Sequence, residues 1–164
     1  MRLTKLTMLA LFTTLSLIIF TLESAIPPLV PIPGIKLGLA NIITLILLRN
    51  YHAKDALLVL IARTLLSTFF FSQAVSLIYS LAGGLFSLGI MVLCNRLLHR
   101  RYSILVSMTG GITHNLGQLS AAYLITLTPG VFVYLPFLIL GGIVTGLFTG
   151  LCAHFAQKYL NKIL

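Results

Sequence analysis

Long apolar runs follow one another almost from end to end of this chain, at 6–26, 35–48, 56–71, 74–93, 103–127 and 131–156, parted only by short polar turns. A helix needs roughly 20 mostly apolar residues to cross about 30 Å of hydrocarbon. Lipid also obliges every backbone polar group to be satisfied within a helix or a closed barrel. The pattern therefore predicts an all-α integral membrane bundle of six transmembrane helices. Charge agrees, because only 8% of the 164 residues are charged, against about a quarter in a soluble domain. The whole chain, 1–164, reads as a single six-helix membrane domain.

The placement of the basic residues predicts its orientation, since cytoplasmic loops concentrate Lys and Arg. Arg2, Lys5, Arg49, Lys54, Arg96, Arg100, Arg101, Lys158 and Lys162 fall at the two termini and in the second and fourth connections. Those places share one side only if the chain crosses six times, which puts both termini in the cytoplasm of a multi-pass protein of the bacterial cell membrane. Lys36 alone falls toward the other side, and Arg63 alone lies mid-segment. The formal charge of +9 does not point to nucleic acid, because a nucleic-acid module gathers its basic residues on one polar face with interleaved aromatics.

Two features qualify the parse. Pro27, Pro28, Pro31 and Pro33 end the first helix, and the second run, 35–48, is short for an upright span, so it is either a short span or a partly re-entrant element. The first run ends at Glu23-Ser24-Ala25 and leads straight into prolines without a small-residue cleavage site, so it reads as a retained helix. Cys94 and Cys152 lie in apolar stretches with no CxxC and read as small buried hydrophobes.

Lipid supplies no hydrophobic drive between helices, so small residues must let backbones approach. Gly142, Gly146 and Gly150 form one stripe on the sixth segment, and Gly83, Gly84 and Gly89 thin the fourth. Packing within the chain is the simplest use of these glycines, and a subunit contact is the other.

An ionisable group inside a membrane is costly and marks a functional candidate. At 1.5 Å per residue, Arg63 and Asn41 lie roughly 13 Å from the cytoplasmic helix ends and His114 with Asn115 roughly 16 Å. Lys36 and Gln118 lie roughly 21 to 23 Å out, and Glu23 and Gln73 roughly 27 Å. His114 and Gln118, four apart, share a helix face. Glu23, Lys36, Asn41, Arg63, His114, Asn115 and Gln118 are thus the candidate substrate-binding residues of a basic, outward-facing pocket. Each has a plainer reading: Arg63 bonded to carbonyls or snorkelling, Lys36 at the headgroups, Glu23 solvated, and the fifth-segment group a helix-to-helix hydrogen-bond cluster.

Catalysis finds little footing. Glu23 and Asp55 are the two acidic residues, on separate segments, whereas diphosphate chemistry needs clustered carboxylates around Mg²⁺. There is no GxxxxGK[ST], HExxH or GxSxG, and neither a metal site nor a cofactor is expected. With no nucleotide-binding motif, uphill transport would need an energising partner. A self-sufficient carrier is disfavoured by the lack of an evident inverted repeat.

Gly34-Ile35-Lys36-Leu37-Gly38-Leu39-Ala40-Asn41-Ile42, then Ser80-Leu81-Ala82-Gly83-Gly84, then His114-Asn115-Leu116-Gly117-Gln118 resemble the Gx transporter family over nearly the whole chain. Members of that family are similar to the substrate-binding S components of energy-coupling-factor (ECF) transporters, and many also carry the label heptaprenyl diphosphate synthase component I. The resemblance implies a six-helix S component that captures a small anionic or amphipathic precursor from outside for import. It also implies docking on a membrane T component driven by two cytoplasmic ATPases. The first helix of that group often carries Ala-xxx-Ala for the T component, and here Ala10 is followed by Thr14, so that one small residue is kept. The label implies the alternative, a non-catalytic membrane subunit of an isoprenoid or quinone (heptaprenyl diphosphate) biosynthetic complex.

Overall fold

The computed structural model describes residues 3–26, 36–71, 74–98 and 102–160, which leaves the proline-rich stretch and Gln73 outside the described residues. Six α-helices follow in order: α1 (Leu3–Ser24), α2 (Asn41–Asn50), α3 (Ala53–Phe71), α4 (Ala74–Leu97), α5 (Ser103–Thr126) and α6 (Leu135–Leu160). A 3-10 helix, Pro129–Tyr134, leads into α6, and no strand occurs among the described residues. Among the described residues, three stretches are by length and composition long and apolar enough to cross a membrane: Leu3–Ser24, Val75–Leu97 and Pro129–Tyr159.

The outside of the bundle is greasy and much of its inside is polar. Leu3, Phe69, Leu124 and Val133 are among many exposed large apolar side chains, whereas Ser16, Thr64, Ser80, Ser87 and Ser107 are buried. Water would penalise so much exposed apolar surface, and lipid does not.

The second apolar run differs from the others. Helix begins only at Asn41, and its ten residues give a rod of about 15 Å, half the hydrocarbon thickness. Residues 36–38 ahead of it have no regular structure, and Gly38 adopts φ +82°, a left-handed conformation that stops a helix from extending backward. The helix ends at Tyr51, whose backbone is extended. Every α2 residue except Ile42 and Asn50 is buried, and α2 touches all five other helices. It is a central plug, not a peripheral span.

Glycines set the tightest contacts, between α5 and its neighbours. A Cβ on Gly146 would stand 2.5 Å from Met108 Cα, one on Gly150 3.0 Å from Ile104 Cα, and one on Gly142 2.8 Å from the Gly111 carbonyl carbon. On α4, a Cβ on Gly83 would meet Gln118 Cγ at 2.8 Å and one on Gly84 would meet Leu60 Cδ1 at 2.7 Å. The α6 stripe and the Gly83–Gly84 pair face other helices of the same chain, whereas Gly89 faces open space. The close approach also lets the Ser107 and Thr149 hydroxyls share a hydrogen bond of 2.8 Å between α5 and α6. At its far end α5 stops at Leu127, φ 51°, whose N–H donates to the Tyr123 carbonyl oxygen, and Pro129 then starts the 3-10 helix where its missing N–H is harmless.

Two apolar clusters result. The larger joins Leu45 and Leu47 of α2 with Leu9, Leu60, Met91 and Val106. The smaller gathers Tyr79, Leu119, Ala122, Val131 and Leu138. Along α4, α5 and α6 alike the buried residues between the two clusters are glycine or polar, and the candidates His114, Asn115 and Gln118 lie among them.

Candidate functional site

The site is built around the short turn before α2. Glu23, at the last turn of α1, reaches across to it: its Oε1 accepts the Gly38 amide N–H at 2.6 Å and its Oε2 accepts the Leu39 N–H at 3.1 Å. Glu23 is buried, so it is a backbone anchor and not a solvated helix end. Gln118 fixes the same segment from α5, its Oε1 accepting the Lys36 N–H at 3.3 Å. From α6 the Thr145 hydroxyl, bonded to the Gly141 carbonyl oxygen at 2.8 Å, also reaches the Leu37 carbonyl oxygen at 3.3 Å. Three helices thus hold residues 36–39 by their backbone, in the manner of a bound peptide.

The absence of a side chain at Gly38 is what lets the walls close. A Cβ there would lie 2.6 Å from His114 Cδ2 and 3.0 Å from Asn41 Nδ2. His114 and Asn41, from α5 and α2, therefore meet over Gly38. On the opposite side His114 Cε1 would stand 2.9 Å from a Cβ on Gly83 of α4. Arg63 completes the group from α3, and its guanidinium interacts electrostatically with Glu23, Lys36 and His114.

Burial of this group is nearly total: relative exposure is 4% for Arg63, 2% for Asn41, 3% for His114 and 0% for Gln118. Yet Arg63 Nε, both polar atoms of the Asn41 amide, His114 Nδ1 and Gln118 Nε2 are buried without a hydrogen-bond partner. Native interiors leave few such groups, and each is a reason to look for a ligand or ion.

Two sequence candidates sit apart from this centre. Lys36 is half-buried with its ammonium turned outward, donating to Ser24 Oγ at 2.5 Å and lying 3.2 Å from the centre of the Phe20 ring. Asn115 faces α6, its Nδ2 donating to the Leu138 carbonyl oxygen at 2.7 Å while its Oδ1 is buried without a partner. Ser24, Phe20, Gly38 and Thr145 are the participants that sequence reasoning passed over. Only Gly38 carried a signal, as a glycine just ahead of a helix.

Ala10 and Thr14 occupy the exposed face of α1, with the Thr14 hydroxyl spent on the Ala10 carbonyl oxygen at 3.1 Å. Beside Thr14 runs an open, mostly apolar groove of about 310 Å³ lined by Leu17, Ile18, Thr21, Leu22 and Phe70. At the opposite end of α1, the Lys5 ammonium pairs with Asp55 Oδ1 at 2.7 Å, tying the start of α1 to the start of α3.

Among known proteins, the family model described as heptaprenyl diphosphate synthase component I matches residues 12–156. No curated protein and no solved structure matches the chain.

Proposed function

The chain belongs to the heptaprenyl diphosphate synthase component I family, and from that premise we propose that it is a non-catalytic membrane subunit of an isoprenoid or quinone biosynthetic complex. In this reading it holds a small amphipathic molecule in the polar layer around Gly38. The observation that carries the binding role is the convergence of unpartnered buried atoms of Asn41, His114 and Gln118 on one turn, with the buried Arg63 guanidinium, its Nε also unmet, acting on it through its charge. A buried polar group left unmet costs about 1–3 kcal/mol, and a ligand that met several of them would recover much of that cost.

The family's description as a component supports a partner that does the chemistry. A non-catalytic role is supported by how the two acidic residues are used. Glu23 is spent on the Gly38 and Leu39 amides and Asp55 on Lys5. Neither is paired with a second carboxylate in the way Mg²⁺-diphosphate chemistry requires. The loop charges support six crossings with both termini cytoplasmic, α2 being a half-length element seated within the bundle.

A second reading is the substrate-binding subunit of an ECF-type transporter, docking on a T component through the Ala10 and Thr14 face and energised by two ATPases. The enclosure of the site by α1, α2, α3, α4 and α5 favours it, because a site so buried suits carriage across lipid better than delivery to a soluble enzyme.

Gentle purification of the full chain from its native membrane separates the two. Recovery of a prenyltransferase supports the first reading, and recovery of a T component with ATPases replaces it by the second. If in addition Asn41→Leu and Arg63→Gln proteins retain the same bound small molecules as the wild type, the site assignment fails under either reading.

A further inference from the structure

Independently of how the Gly38 layer is read, we infer that the outward face of α1 binds one anionic phospholipid. Its phosphate rests on Lys36, and an acyl chain lies along the groove that Thr14, Leu17, Ile18, Thr21 and Leu22 form with Phe70. The floor of this groove suits hydrocarbon. Thr14 and Thr21 are shorter than the leucines and isoleucine beside them, and their hydroxyls donate back to the Ala10 and Leu17 carbonyl oxygens at 3.1 and 2.9 Å. Both polar atoms are thus satisfied within the helix, so that a chain of methylenes leaves neither unmet. Phe70 forms the far wall from the last turn of α3, with Phe69 edge-on against it at 5.6 Å between ring centroids.

A cation stands at one end of the groove. Leu17, Thr21 and Ser24 follow at spacings of four and three, which is one line along a helix face, and Lys36 Nζ donates to Ser24 Oγ. An ammonium has three donors. The Ser24 bond uses one and the Phe20 ring covers one side, which leaves a donor for a phosphate oxygen. No carboxylate pairs with Lys36 among the described residues, and both Glu23 oxygens are engaged by backbone N–H groups.

The dimensions fit one leaflet. From Thr14 to Ser24 the helix rises about 15 Å, half of the roughly 30 Å hydrocarbon core. Charge therefore sits at headgroup depth with apolar surface running from it to the midplane, and one cation suits the single phosphate of a phospholipid.

The test uses the full chain in lipid nanodiscs of phosphatidylcholine. The chain has no tryptophan, so one is introduced either at Ile18, within the groove, or at Leu140, exposed on α6. Phosphatidylglycerol or phosphatidylcholine brominated on the acyl chain is then added as quencher. In Ile18→Trp, phosphatidylglycerol is expected to quench at about fivefold lower mole fraction than phosphatidylcholine, the worth of one Lys beside an anionic headgroup. In Leu140→Trp the two should quench alike. Adding Lys36→Gln to Ile18→Trp should erase the preference. Thr21→Phe, which fills the groove and leaves Lys36 in place, should lose the phosphatidylglycerol that native mass spectrometry finds on the membrane-purified wild type.

Equal quenching by the two lipids in Ile18→Trp, or a preference that survives Lys36→Gln, overturns the assignment and makes the groove ordinary lipid contact. Weak quenching by both lipids in Ile18→Trp, with full quenching in Leu140→Trp, overturns it too, because something other than lipid then covers the groove. Retention of a prenyl phosphate in place of a phospholipid replaces the occupant.

Discussion

The Glu23 carboxylate accepts the amide N–H of Gly38 at 2.6 Å while Gly38 holds φ +82°. One acidic side chain at the end of α1 thereby fixes the one glycine whose conformation and missing Cβ admit His114 and Asn41 to the same point. Removing either partner should be felt at both places.

Gly38→Ala is expected to cost about 1–2 kcal/mol for the left-handed backbone alone, before the clash of the new Cβ with His114. Chemical unfolding in detergent would show the loss, and ligand retention should fall with it. A variant as stable as the wild type would mean that the turn before α2 does not need its conformation.

Glu23→Ala leaves two amide N–H groups without acceptors and is expected to destabilise the chain by about 3 kcal/mol. Glu23→Gln keeps one acceptor oxygen for Gly38 and should lose less stability. It also removes the negative charge near Arg63, so the site becomes more positive and should hold anions more tightly. The pair of variants, compared by unfolding and anion titration, separates the anchoring role from the electrostatic one.

Asn41 and Asn115 make opposite predictions although both are buried asparagines. Asn115→Ala removes the bond to the Leu138 carbonyl and should cost about 1–2 kcal/mol with ligand retention unchanged. Asn41→Leu removes an amide with no partner, so the ligand-free protein should be no less stable, and retention should be lost.

Gly146→Val should separate α5 from α6, because its Cβ would collide with the Met108 backbone, which cannot swing aside as a side chain can. Overpacking of this kind costs about 1–3 kcal/mol. The drop in unfolding midpoint should exceed that of Gly89→Val, since Gly89 faces open space.

The Lys5 and Asp55 pair gives a pH dependence. Burial works to raise the Asp55 carboxyl, but the hydrogen bonds from Lys5 and the His52 backbone, with the charges of both residues, outweigh it and hold the group below its ordinary value. A depressed carboxylate contributes stability above its unfolded value, about 3.9, and loses it as pH falls through the folded one. Lys5→Met should therefore cost about 1 kcal/mol at pH 7, and the gap to wild type should shrink below pH 4 in thermal unfolding.

How much of this was legible in the sequence differs from residue to residue. The apolar runs foretold the helices α1 and α3 to α6 closely, because each run must satisfy its own backbone. The run at 35–48 was ambiguous, and its first part is not helical: it is taken up by Glu23, Gln118 and Thr145, long-range partners that no local pattern reveals. Depth counting brought Arg63, Asn41 and His114 to one level, and Asn41 and His114 do lie together over Gly38. It also grouped Asn115 with them, since depth carries no information about rotation, and a step of one residue turns a side chain about 100° around the helix toward α6. Glu23 was legible as a charge but not as an anchor, for its partners are main-chain amides that every residue possesses.

Leu45, Leu47, Leu60 and Met91, each at most 1% exposed, pack into one apolar cluster drawn from α2, α3 and α4. A charged group entering that cluster would have to shed its water with nothing to replace it, so while those helices stay packed the cluster is a barrier to ions.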